Sequence, residues 1–248
     1  MCNVNFDWSQ VPAYEWNGKN EAETVEYFRK LSEQLDSALG ADENHRFEVV
    51  GNAITAILDW GNISLGENGI NQFIEEIQNV NRNYADIQPE DNNFERNVRE
   101  ILRRGRNGND WRISSWSKIL AAWKPGTFFI YDSRVAIGLS IVKPDVTWAI
   151  PSARGKNSMF GFVSTAIERN HAMNLPDSYC SYLKFLHQFA TCNKIDFSGY
   201  LDLQSKMAHI EKLLFMIPEM LIYNVQLFLK DQKLPEFSCN IRPGRNQE

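Results

Sequence analysis

Between Ser114 and Leu139 the chain reads SSWSKILAAWKPGTFFIYDSRVAIGL, a helical pattern that is stopped abruptly and then restarted. Ile113, Trp116, Ile119, Leu120 and Trp123 recur at helical spacing, with Ser114 or Ser115 available as a cap. Pro125 and Gly126 end that helix, because one lacks an amide hydrogen and the other adopts the left-handed backbone of a helix stop. TFFIY is a short buried extended run, and Asp132-Ser133 can cap a second helix opening with Arg134 and Val135. Helix, tight turn, extended link and capped helix bring the start of the second helix near the start of the first. Lys118, on a different face from Trp116 and Ile119, and Asp132 can therefore share one cleft.

The rest of the chain reads as helices. EAETVEYFRKLSEQLDSALG places Val25, Phe28, Leu31, Leu35 and Leu39 on one face and ends at Gly40. HRFEVVGNAITAILDWGN follows with a glycine interruption, then INQFIEEIQNVNRNY, then DNNFERNVREILRRG, capped by Asp91 or Asn92 and stopped at Gly105. Beyond SRVAIGLSIV, which Pro144 closes, VTWAIPSARGKNSMFGF is irregular, and YCSYLKFLHQFATC and YLDLQSKMAHIEKLLFMIPEML complete a helical C-terminal half. Short polar turns between such segments are the pattern of an all-α bundle. Residues 1–20 form an aromatic, irregular N-terminal arm packed through Trp8, Tyr14 and Trp16, residues 21–232 the helical body, and residues 233–248 a frayed tail.

With 248 residues and 43% hydrophobic content, the chain can bury a core without disulfides. Cys2, Cys180, Cys192 and Cys239 make no CxxC pair, and His45, His171, His187 and His209 are dispersed, so neither a zinc nor an iron–sulfur site is expected and no cofactor is implied. Cys180 and Cys192 read as small buried apolar residues, and His187 and His209 as core or interface residues. No apolar run is long enough to span a bilayer, and MCNVNFDWSQ lacks the regions of a signal peptide, so a soluble cytoplasmic protein with no membrane partner is expected.

A formal charge of −5 disfavours indiscriminate binding to phosphate backbones, yet the charge is unevenly spread. From Glu95 to Lys124 eight cations face only Glu95, Glu100 and Asp110. Within this stretch RRGRNGNDWR combines donors with flexible turn residues, making Arg103, Arg104, Arg106 and Arg112 candidates for a phosphate. Ser115, Arg134, and Arg154 and Lys156 of the later RGKNS loop join that set. Trp111 and Trp148 are the better candidates to stack on an extruded base, whereas Trp60, Trp116 and Trp123 have the spacing of core residues.

A lysine amine attacks a sugar C1′ or a carbonyl only when neutral, and a carboxylate at a helix N-terminus can stabilise an oxocarbenium-like centre or accept a proton. SSWSKILA followed by IYDSRVAIGL resembles the lysine-to-aspartate segment of helix-hairpin-helix DNA glycosylases, in particular bacterial 8-oxoguanine glycosylase-fold proteins, some of them linked to antiphage defence. The resemblance covers about a tenth of the chain. It implies a two-lobed helical bundle with its cleft near residues 103–158, a glycosylase and AP lyase acting on an oxidised purine, Lys118 as Schiff-base nucleophile and Asp132 as assisting carboxylate. DNA or a modified nucleotide, and a protein encoded in the same defence operon, are the partners it implies.

The superfamily hairpin usually reads Pro-Gly-apolar-Gly ahead of the lysine, where this chain has DWRISSWS, and the lysine-to-aspartate interval is shorter. Those departures motivate a second reading, a non-catalytic module of the same fold that binds a modified base, nucleotide or protein. A third is an interaction protein in which Lys118 and Asp132 form only an exposed ion pair contributing about 0–1 kcal/mol.

Overall fold

The computed structural model describes residues 6–39, 43–61, 63, 67–84, 87, 91–103, 113–146, 148–151, 175–192, 195, 197–200 and 202–231. Among them lie eight α-helices: α1 (Glu21–Leu39), α2 (Glu43–Trp60), α3 (Glu67–Tyr84), α4 (Phe94–Arg103), α5 (Ile113–Trp123), α6 (Ser133–Val142), α7 (Leu175–Ala190) and α8 (Leu203–Asp231). The all-α reading holds, and buried side chains from all eight helices join one connected core. None of these helices is long and apolar enough to cross a membrane.

Local chemistry sets several helix starts. At α1, Asn20 Oδ1 accepts the Glu23 N–H at 3.0 Å while Glu23 returns a carboxylate oxygen to the Asn20 N–H at 2.8 Å, a reciprocal cap. At α8, Asp202 accepts the Ser205 N–H at 2.7 Å. His209 Nδ1 lies 2.9 Å from Glu21 Oε2 and 2.8 Å from the Tyr200 hydroxyl, which fastens the start of α1 to α8.

Five details depart from the sequence reading. The N-terminal arm is not wholly irregular: β1 (Glu15–Trp16) and β2 (Lys19–Asn20) form an antiparallel hairpin turned by Asn17 and Gly18, both at positive φ. Gly51 does not interrupt α2, because it meets Ile74 of α3 and lets the two helices approach. Helix α7 begins at Leu175, ahead of the expected Tyr179, and α8 starts at Leu203 and runs through Pro218 to Asp231, well past Leu221. Cys180 is buried as expected, but Cys192 at the end of α7 is only partly buried.

Helix α5 is sheathed: every residue from Ser115 to Trp123 is buried, so it has no solvent face. Trp116 stacks on Phe73 at 5.4 Å, and Ser32 of α1 donates to the Trp123 carbonyl at 3.0 Å, closing the end of α5. Helix α6 lies against α8 so closely that a Cβ on Gly138 would sit 2.3 Å from the Leu214 carbonyl oxygen. A backbone atom cannot swing aside as a side chain can. Gly138→Ala is therefore expected to destabilise the protein by about 1–3 kcal/mol or more, read as a lowered urea midpoint, while an unchanged midpoint would mean that α6 and α8 are not in this register.

Candidate functional site

The site is built by pairing two consecutive residues of α5 with two consecutive residues of the link that follows it. Ser117 Oγ accepts the Tyr131 N–H at 3.0 Å, and Lys118 Nζ donates to Asp132 Oδ2 at 3.0 Å. The link is held from its other sides too. Tyr179 donates to the Phe129 carbonyl at 3.0 Å, Tyr131 donates to the Ala149 carbonyl at 2.7 Å, and Glu211 Oε2 accepts the Ile130 N–H at 2.7 Å. Phe128, Phe129, Ile130 and Tyr131 are buried, as the TFFIY run predicts, and belong to no helix.

Lys118 is 4% exposed and Asp132 9%. The Lys118 ammonium reaches the Ser114 carbonyl at 3.2 Å and the Ser114 hydroxyl at 3.3 Å besides Asp132, which accounts for its three donors. Asp132 is the N-cap of α6 in extended backbone, and its Oδ1 accepts the amide hydrogens of Arg134 at 3.0 Å and Val135 at 3.2 Å. Burial pushes the Asp132 carboxyl up, but the Lys118 charge and hydrogen bond and the Val135 N–H outweigh it and hold the carboxyl below its ordinary range. The result is an ammonium and a carboxylate in contact away from water, each anchored to a helix N-terminus.

Two features shape the surroundings of the pair, and the sequence reading passed over both. Gly61, just past α2, lies beside the lysine stem: a Cβ there would sit 2.8 Å from Lys118 Cδ. The N-terminal hairpin then ties itself to the neighbouring residue, with Trp16 Nε1 donating to the Trp60 carbonyl at 3.0 Å and Asn17 Nδ2 at 2.7 Å. Asn-Gly between short extended segments is a strong hairpin signal and could have revealed this element. Trp16 also meets Phe215 edge-on at 5.2 Å, so the hairpin spans from α2 to α8 beside the pair.

The remaining expected site residues divide. Arg134 was expected at a phosphate; its guanidinium instead ion-pairs with Glu219 and lies 4.5 Å from the Trp16 ring and 4.7 Å from the Phe215 ring. Trp148 was expected as a stacking platform, but at 2% exposure it is a core residue, its Nε1 donating to the Lys143 carbonyl at 3.2 Å and its ring meeting Phe185 edge-on. Ser115 is buried within α5. Arg103 ends α4, and its side chain, with Arg104, Arg106, Trp111, Arg112, Arg154 and Lys156, lies outside the described residues. Among the described residues no group of His, Cys, Asp or Glu is placed to hold a metal ion.

Because the pair is buried, its two halves are unequal to an exposed bridge. Lys118→Met leaves a buried unpaired carboxylate and is expected to cost about 3–5 kcal/mol, whereas Lys118→Met with Asp132→Asn removes both charges, keeps an N-cap oxygen and should recover much of that loss. Asp132 has a depressed carboxyl, so its contribution is present above the ordinary value of 3.8 and is lost as pH falls through the lower folded value. Urea denaturation across the acid range measures both effects, and a single lysine variant within about 1 kcal/mol of wild type would return the pair to the exposed class. No protein-family model, no curated protein and no solved structure matches this chain.

Proposed function

We propose that the protein is a DNA glycosylase with AP lyase chemistry, acting on an oxidised purine, with Lys118 as nucleophile and Asp132 as the carboxylate beside it. The observation that carries this reading is the 3.0 Å contact between a buried amine and a buried carboxylate at the starts of two helices. A lysine that must become neutral to attack benefits from a proton acceptor already in contact, and Asp132 is such a group. In the reaction the Lys118 nitrogen bonds to C1′ of an extruded nucleotide, the glycosidic bond breaks, and its electron pair leaves with the base, which takes up a proton. The sugar ring then opens to an imine as the second amine proton passes to O4′, and loss of a C2′ proton forms a C2′–C3′ double bond as the 3′ phosphate leaves with the C3′–O electron pair. Asp132 stabilises positive charge at C1′ in the first step. DNA is the partner of this reading, and a role in defence against phage extends it.

The second reading, a binding module without turnover, is favoured by the closure of the site. With Lys118 4% exposed and all three donors engaged, attack needs the amine to leave the Ser114 oxygens. A module that recognises a modified base, a nucleotide or a partner protein needs no such release.

Borohydride reduction separates the two. Duplex DNA carrying an oxidised purine should be trapped as a covalent adduct by wild type and not by Lys118→Gln, which keeps a polar group at that position. Gly61→Ala, which displaces only the lysine stem, should reduce the yield while leaving the fold intact. No adduct across a panel of modified bases would remove the lyase chemistry and leave the binding module.

The basic turn supplies an independent measurement. If RRGRNGNDWR grips the backbone, Arg104→Ala with Arg106→Ala should weaken binding to all sequences alike and reduce the slope of log affinity against log salt by up to about two. An unchanged slope would leave the turn without a phosphate role.

A further inference from the structure

Beside the Lys118–Asp132 pair lies a third buried ionisable group that neither reading of the site uses. Glu211, on the inner face of α8, is 8% exposed. Its Oε2 accepts the Ile130 N–H at 2.7 Å, two residues ahead of Asp132 in the link whose next amide hydrogen goes to Ser117. The backbone that delivers Asp132 to Lys118 thus rests on two acceptors, one uncharged and one titratable.

We propose that Glu211 is a positioning residue for the Lys118–Asp132 pair, holding the link ahead of Asp132 in register and, through its own protonation, setting the field in which the pair gives up or takes a proton. The inference rests on the reading of Lys118 and Asp132 as a working pair. Glu211 is faced by charged or titratable groups from each element around it: Lys118 from α5, Asp132 at the start of α6, Tyr14 from the N-terminal arm, Tyr179 and Tyr182 from α7, and Lys212 on its own helix. Burial dominates and pushes its carboxyl up to about 7; Lys212, the Ile130 N–H and Lys118 act against that shift, and Asp132 adds to it. Lys212, itself buried, turns its ammonium toward the Ala208 carbonyl at 3.4 Å. A carboxyl that exchanges its proton near neutrality, coupled to a carboxylate that remains ionised there, divides the two titrations in opposite directions.

The sign for stability follows. A carboxyl raised in the folded state contributes stability that is present below its ordinary value of 4.5 and is lost as pH rises through about 7. Asp132 works the other way and at lower pH.

Two variants of Glu211 and one of Asp132 test the proposal. Glu211→Gln keeps an oxygen for the Ile130 N–H and removes the titration; Glu211→Leu removes both. Carbon-13 NMR of side-chain carboxyls in the full chain should show Glu211 titrating near 7, against about 4.3 for a free glutamate, and the Glu211 midpoint should fall in Asp132→Asn, which removes the charge that raises it. The downward limb of stability between pH 4.5 and 7 should flatten in Glu211→Gln. In borohydride trapping on oxidised-purine DNA, wild type should show an inflection near pH 7 that Glu211→Gln lacks, whereas Glu211→Leu should lose about tenfold to a hundredfold in yield at every pH. A Glu211 that titrates in the ordinary range, or a Glu211 midpoint indifferent to Asp132→Asn, overturns the proposal. Absence of any adduct in wild type removes the glycosylase reading instead, and the carboxyl titration still decides on Glu211.

Discussion

Keeping an ammonium out of water is the constraint on which the centre of this molecule depends. A lone buried charge is prohibitive, so the burial of Lys118 requires that its three protons and its charge all be answered within the protein. Ser114 supplies two oxygens from one turn back along α5, and Asp132 supplies the third together with the compensating charge. Asp132 in turn needs its own partners, and the start of α6 provides two amide hydrogens. The turn at Pro125-Gly126, the non-helical link and the cap on α6 are then one device for returning a carboxylate to a lysine fourteen positions earlier.

Around that pair the interior is unusually polar for a helical core. Ser117, Ser178, Glu211 and Lys212 are buried with it, and the first three each accept an amide hydrogen from an irregular segment. Non-helical backbone between packed helices has no ladder to satisfy it, so side chains must. Residues that look out of place in a hydrophobic centre are the hydrogen-bond partners that make a non-helical link possible there. The same economy gives Arg134 its place: two aromatic faces and Glu219 hold a guanidinium beside the mouth of α6.

How much of this the sequence discloses follows the range of the interactions. The helical pattern of Trp116, Ile119, Leu120 and Trp123, the stop at Pro125-Gly126 and the cap at Asp132 are local signals, and the structure follows each of them. The pairing of Lys118 with Asp132 was legible because one turn and one link separate them. Glu211 was not, since its contact with Ile130 spans 81 positions and nothing in MAHIEKLLFMIP marks one glutamate as inward-facing. Trp148 was misassigned for a related reason. A tryptophan in an irregular segment outside any helical pattern gives no periodicity that marks it as buried, and only the packing of α7 against that segment buries it. The start of α8 is set by Asp202, and its backbone lies against α6 at Gly138 a turn before Pro218, neither of which periodicity can weigh.

The hairpin of residues 15–20 has a consequence for how the molecule comes together in time. Trp16 and Asn17 fasten to Trp60, 44 and 43 positions on, but the ring face of Trp16 meets Arg134, and its edge meets Phe215, almost two hundred positions later. During synthesis from the N-terminus these aromatic residues emerge first and must wait for α8 before their apolar surface is covered. Contacts of such long sequence separation are among the last to be rewarded in folding. The surroundings of Lys118 are thus completed by an early-made segment meeting one made much later, so a nascent chain carries the residues of the site long before it carries the site.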